Sequence, residues 1–125
     1  MNLPKVNQAF TLIEVLITLG VIALLATIAI ANVIKSREKA QLTSIVTNLK
    51  NIENAKEQWG LEAKKGVGDI PAVSEIQPYL KAGAMPTPSS GESYQINGIG
   101  NPATAILPAT TKLGTYPAGG TVTVP

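Results

Sequence analysis

The residue with the most chemistry to offer is Glu14, a lone carboxylate at the edge of twenty uncharged residues, Val15 to Ile34. An acid forced into hydrocarbon costs on the order of 3 kcal/mol and so needs a named partner. No Lys or Arg lies within a helical turn of it. A cut between Ala9 and Phe10 would create one cation, the new α-amino group of Phe10. That amine would lie about one helical turn from Glu14, and in an assembly a neighbour's amine could reach it. The rest of the inventory is thin. There is no Cys and no His, which excludes a disulfide scaffold, a thiolate or imidazole metal site, and Cys/His or Ser/His/Asp catalysis. Asp69, Glu75 and Glu92 are the only acids beyond Glu62. They could supply oxygen ligands to Ca²⁺, but their spacing is unlike that of an EF-hand. Trp59, Tyr79, Tyr94 and Tyr116 read as core or edge residues and not as a platform for stacking bases. No nucleophile can be paired with a base, so neither an enzyme nor a cofactor is expected.

These residues must be positioned by elements that the hydropathy pattern outlines. The chain has 125 residues, enough for one modest core, and only 14% of them are charged, against the usual quarter. The formal charge of +2 is too small for a nucleic-acid binder. Twenty residues of helix span about 30 Å, the thickness of a bilayer's hydrocarbon core, so Val15–Ile34 is long enough to cross one. Beyond Ile34 the pattern turns amphipathic. Leu42, Ile45, Leu49, Ile52, Lys56, Trp59 and Ala63 step by three and four, with Val46 and Ala55 widening the stripe. Lys56 is the only charged member. Lys50, Asn51, Glu53, Asn54, Glu57 and Gln58 fall between as a solvated face, and the Glu53–Lys56 spacing promises only weak support. No proline lies between Val6 and Ile70. One helix is therefore expected from about Phe10 to about Lys64, near 80 Å long. Gly60 is its soft spot, Lys64 and Lys65 complement its dipole, and Gly66 and Gly68 stop it.

Eight of nine prolines and nine of eleven glycines lie at or beyond Gly66, so the last half should be short pieces between turns. Ser74, with Gln77 three residues on, could cap a short helix through Leu80, with Pro78 in its first turn and Gly83 as C-cap. Strands are expected at Ser93–Ile99, with Asn97-Gly98 as a turn, at Ala103–Leu107 and at Thr121–Val124. A sheet this small needs the apolar stripe of the long helix to pack on. The expected fold is α+β, a long N-terminal helix against a small antiparallel sheet.

The N-terminal residues carry a family resemblance. Ala9-Phe10-Thr11-Leu12-Ile13-Glu14-Val15-Leu16, after a polar leader with one Lys, resembles the prepilin cleavage and methylation motif of type IV pilins and type II secretion pseudopilins. The resemblance implies cleavage between Ala9 and Phe10 by a membrane prepilin peptidase, N-methylation of Phe10, and an assembly role for Glu14. Two residues depart from the family pattern. Ala9 stands where Gly is usual, and its small side chain should fit, with slower processing. Ala31 stands where many members have a kinking Pro, so a straighter helix is expected, with Gly20 its weak point. The segments Asn48–Ile52 and Ala55–Trp59, then Ser74–Lys81, resemble the amphipathic helix and following short helix of bacterial pseudopilin-like proteins.

The resemblance implies a pilin-like structural subunit with residues 1–9 as leader, 10–34 as membrane and assembly helix, 35–65 as its amphipathic continuation and 66–125 as a small globular part. Its partners would be further pilin subunits, the prepilin peptidase/methyltransferase, an inner-membrane assembly platform and, before assembly, the lipid bilayer; no nucleic acid is expected. The C-terminal part would lie on the extracytoplasmic side of the inner membrane. Lys35, Arg37 and Lys39 outnumber Lys5, which by charge alone places it in the cytoplasm; the cleavage motif overrules that count. The alternative is a secreted or tethered binding module. Lys5 would then be a basic n-region, Val15–Ile28 an h-region and Ala29-Ile30-Ala31 an ordinary signal cleavage site. Without a Cys to staple it, the tail beyond Lys112 is expected to be loosely held.

Overall fold

The structure, a computed structural model, describes residues 9–125. The leader expected over residues 1–9 lies outside them except for Ala9. One helix, α1 (Leu12–Glu62), accounts for 51 residues. A four-residue helix, α2 (Val73–Ile76), runs into a 3-10 turn at Gln77–Tyr79, and three short strands follow: β1 (Ser93–Gln95), β2 (Thr104–Ile106) and β3 (Thr121–Thr123).

The chain divides into two units, one ending at Lys35 and one comprising Ser36–Pro125. In the first, every large apolar side chain of α1 is exposed, from Leu12 to Ile34. Its hydroxyls are satisfied within the helix: Thr18 Oγ1 donates to the Val15 carbonyl at 2.9 Å and Thr27 Oγ1 to the Leu24 carbonyl at 2.7 Å. The helix therefore offers its surroundings an almost wholly apolar surface, as hydrocarbon requires.

The second unit is organised by the stripe. Ile45, Leu49, Ile52, Ala55, Lys56 and Trp59 are buried, with Leu42 and Val46 at the margin. They pack with Ile76 and Leu80 of the short helical segment and with Ala105 and Val122 of the sheet. The sheet is antiparallel in the order β1-β2-β3. Tyr94 faces Ala105 and Ala105 faces Val122, so the central residue of each strand points to the core. This is the expected α+β arrangement, an amphipathic helix closing one face of a three-stranded sheet.

Several details differ from expectation. Ala63 is exposed and outside the helix, and Gly60 is the last buried position. The helix is ended by Lys64, not by Gly66 or Gly68. Lys64 adopts a left-handed φ of 51° and the Lys65 N–H bonds back to the Gly60 carbonyl at 2.9 Å, a Schellman closure made without glycine. Gly60 is no soft spot: a side chain there would meet Ile99 Cδ1 at 2.7 Å, so it is a point of close packing. The cap of α2 is Ala72, not Ser74, and the Glu75 carboxylate accepts the Ala72 N–H at 2.8 Å. The first strand stops at Gln95 and the turn falls at Gly98–Asn101: Asn97 adopts a left-handed φ of 56°, and the Ile96 and Gly98 carbonyls accept from the Lys56 ammonium. The tail beyond Lys112 is pinned without a disulfide. Leu113 and Val122 are both in the core, Leu113 and Tyr116 exchange two backbone hydrogen bonds, and Gly119 N–H reaches the Pro108 carbonyl.

Candidate processing and assembly site

The site begins where α1 begins. Thr11 is the residue before the first helical one, and its hydroxyl accepts the Glu14 N–H at 3.3 Å. In return the Glu14 carboxylate accepts the Thr11 N–H at 3.4 Å and its hydroxyl at 3.5 Å. This is a loose capping box, Thr-x-x-Glu, satisfying two of the N–H groups that a helix start leaves without partners. The carboxylate also sits at the positive end of the helix dipole. Sequence reasoning assigned Glu14 only a partner amine and missed this cap, although the Thr11/Glu14 spacing signals it.

Ala9 and Phe10 lie just ahead of the cap and are exposed, Phe10 by 84%. A small residue followed by an exposed Phe on irregular backbone is accessible to a protease, as a helix interior is not. Phe10, Glu14, Val15 and Thr18 line one shallow groove, so the structure brings the expected new terminus and the acid to the same side of the helix start. The Thr11 N–H that Glu14 holds would remain an amide after a cut before Phe10, so the cap would survive such a cut. Ala29-Ile30-Ala31, the alternative cleavage site, is in the middle of α1.

Residues 4–30 match the family model described as the prokaryotic N-terminal methylation motif. The chain carries that motif. It is the hallmark of type IV pilins and pseudopilins, and the match covers Ala9, Phe10, Glu14 and most of the apolar run. No curated protein and no solved structure matches the chain. The methylation motif and the long apolar helix together fit a pilin-like protein anchored in the inner membrane.

Away from the motif, the acids are spent on backbone. Asp69 accepts the Gly66 N–H at 2.9 Å and Glu75 caps α2, while Glu92, 2% exposed, accepts Ser89 N–H at 3.0 Å and Ser90 N–H at 2.7 Å. The three do not converge, and among the described residues no group of three potential metal ligands does. Burial pushes the Glu92 carboxyl up, but the hydrogen bonds from the Tyr94 hydroxyl and from the two serine amides outweigh it and leave the pKa below its usual value. Burial, and then the bond to Glu92, raise the Tyr94 hydroxyl to about 12, against a smaller opposing effect of Asn48, whose amide donates to the Tyr94 oxygen at 2.9 Å.

Lys56 is the larger surprise. It is fully buried in the seam, and its ammonium donates to the carbonyls of Ile96, Gly98 and Asn101 while pairing with Glu53 at 2.9 Å. Glu53 in turn accepts the Ala103 N–H at 2.9 Å. The pair expected to lend only weak helical support, between the solvated face and the one charged position of the seam, is instead a clamp holding residues 96–103 against α1.

Proposed function

We propose that the protein is a structural subunit, a pilin or pseudopilin, that assembles through its N-terminal helix into a helical filament of a type IV pilus or type II secretion type. The methylation motif at residues 4–30 is the observation that carries this reading. In it, residues 1–9 are a leader, a prepilin peptidase cuts between Ala9 and Phe10, and the new terminus is methylated. The C-terminal unit then faces the extracytoplasmic side.

The physics of the first unit supports the assignment. A helix apolar all round is as well accommodated by lipid as by copies of itself, so transfer from bilayer to filament changes its free energy little. Head-to-tail contacts that do not close on themselves generate an open filament. Glu14 then sets the register: an incoming helix gains an attraction only when its Phe10 amine reaches a neighbour's carboxylate, and a charge in such surroundings is costly unless paired. The second unit has its own core and needs none of the first unit's side chains to close it.

The test is the mature N-terminus. Mass spectrometry of the protein from membranes and from sheared filaments should find N-methylated Phe10. A chain beginning at Asn32 would mean an ordinary secretory signal, and an intact Met1 would mean an uncleaved anchor.

A further inference from the structure

We propose that Lys35, Arg37 and Lys39 form a collar that binds the anionic phosphodiester headgroups of the bilayer surface at which the apolar run ends. The proposal rests on the membrane-anchored reading above and adds the class of lipid that the anchor selects.

Four observations carry it. The three basic residues follow directly on Ile34, the last residue of the uncharged run. They also account for the chain's charge. Of ten Lys and Arg and eight acids, Lys35, Arg37, Lys39 and Glu38 take three and one, which leaves seven of each sign elsewhere and puts the whole formal +2 in five consecutive residues. All three cations are exposed, whereas Glu38 is half-buried, and the only ion pair among the described residues is Lys56–Glu53. Finally, they do not share one face. At about 100° per residue, Lys35 and Lys39 lie within roughly 40° of each other and Arg37 on nearly the opposite side.

That last point selects the partner. One flat protein partner would be met by a stripe of charge along one side of the helix. A helix passing through a surface is surrounded by it, and charges distributed around the axis can all reach it. Residues 35–39 cover about 6 Å of helix, close to the depth of one headgroup layer, and the long stems of Lys and Arg let their charged ends adjust within it.

The experiment uses the full chain reconstituted in vesicles of phosphatidylcholine and phosphatidylglycerol, with spin-labelled forms of each lipid reporting the fraction held at the protein. Retention after alkaline carbonate washing is measured on the same samples. The expected result is a preference for phosphatidylglycerol, up to about fivefold for each basic side chain, that falls in high salt. It should disappear in K35Q/R37Q/K39Q and persist in K64Q/K65Q. Equal affinity for the two lipids in a chain retained by the membrane overturns the collar alone. So does a preference that survives the triple substitution, or carboxylate cross-links from Lys35 or Lys39 to another copy without lipid selectivity. A chain released by carbonate overturns the collar together with the membrane-anchored reading.

Discussion

Up to Ile34, α1 leaves Leu24, Leu25 and Ile28 about 60% exposed; from Ile45 on, the same helix buries Ile45, Leu49 and Ile52 completely. The apolar residue types hardly differ between the two stretches, but their spacing, and the polar residues between them in the second, do. In the first, apolar residues occupy every side of the helix, so no direction is preferred and any apolar surroundings will serve. In the second they recur at three and four with polar residues between, and that period commits the helix to one partner, the sheet of its own chain. One stretch is therefore suited to exchanging environments and the other to keeping one.

The sharpest test of that contrast is Lys56, the one charge inside the committed seam. If the seam were held by apolar burial alone, Lys56→Met would be neutral or stabilising. With the clamp present, the substitution leaves three carbonyls and the Glu53 carboxylate facing a thioether, and the expected loss is about 3–5 kcal/mol. Urea unfolding of the full chain in detergent, followed by the fluorescence of Trp59, the chain's only tryptophan, measures it directly.

Next in size is the same deletion made in both stretches. Ile52→Ala removes a fully buried side chain and should cost about 2–4 kcal/mol. Ile22→Ala, at a position 62% exposed, should leave the same unfolding transition where it was. A shift with Ile22→Ala as large as that with Ile52→Ala would mean that the first stretch is packed after all.

The contrast also explains what could be read in the sequence. Both stretches of α1, the apolar seam and the α+β class follow from the period of the hydropathy, which is local information. The sequence shows Lys56 as a lone charge in the seam, i, i+3 from Glu53, but the clamp is illegible there because its meaning depends on carbonyls some forty residues away. Lys112 onward reads as loose because no cysteine holds it, whereas the structure uses Val122 of the expected last strand and Leu113, a single apolar residue with no period around it to reveal it. At the candidate site, Ala9, Phe10 and Glu14 are legible as a pattern, and the Thr11-x-x-Glu14 spacing is legible as a capping box.

A smaller effect should separate Gly98 from the glycines of open turns. A side chain there would come within 2.7 Å of the Gly68 carbonyl oxygen, which is backbone and cannot turn aside. Gly68 and Asp69 exchange backbone hydrogen bonds with Ile99, so the shift would loosen that pairing. Gly98→Ala should cost about 1–3 kcal/mol, read as a lower urea midpoint.

Smaller again is the acid response of the second unit. Glu92 has a folded pKa below its unfolded one, so its contribution is present at pH values above the unfolded pKa of 4.5 and is lost as the pH falls through the folded value. Glu92→Gln should lower stability at neutral pH and flatten the acid limb of the stability profile. An unchanged acid limb would mean that the Ser89, Ser90 and Tyr94 hydrogen bonds do not favour the charged form.

The smallest expected change in stability is at the start of the first stretch, and it separates two roles of one residue. Glu14 could act in assembly through its charge, or only through the cap it shares with Thr11. Glutamine keeps an oxygen that can accept the Thr11 N–H but carries no charge, so Glu14→Gln preserves the cap and removes the ion-pair partner of the Phe10 amine. Thr11→Val does the reverse, removing the hydroxyl at a cost of about 0.5–1 kcal/mol of local helix stability and leaving the carboxylate in place. If the charge sets the register between subunits, Glu14→Gln should lose filament incorporation while Thr11→Val keeps most of it. Both should remain in the membrane, because neither adds a charge to the apolar run, and both should still be cut before Phe10, because the small Ala9 side chain at the junction is untouched. Cleavage, membrane retention and sheared filament yield are measured separately for each variant. Filaments at normal yield from Glu14→Gln, with a deficit in Thr11→Val, would reduce Glu14 to a helix cap and leave the Phe10 amine in need of another partner.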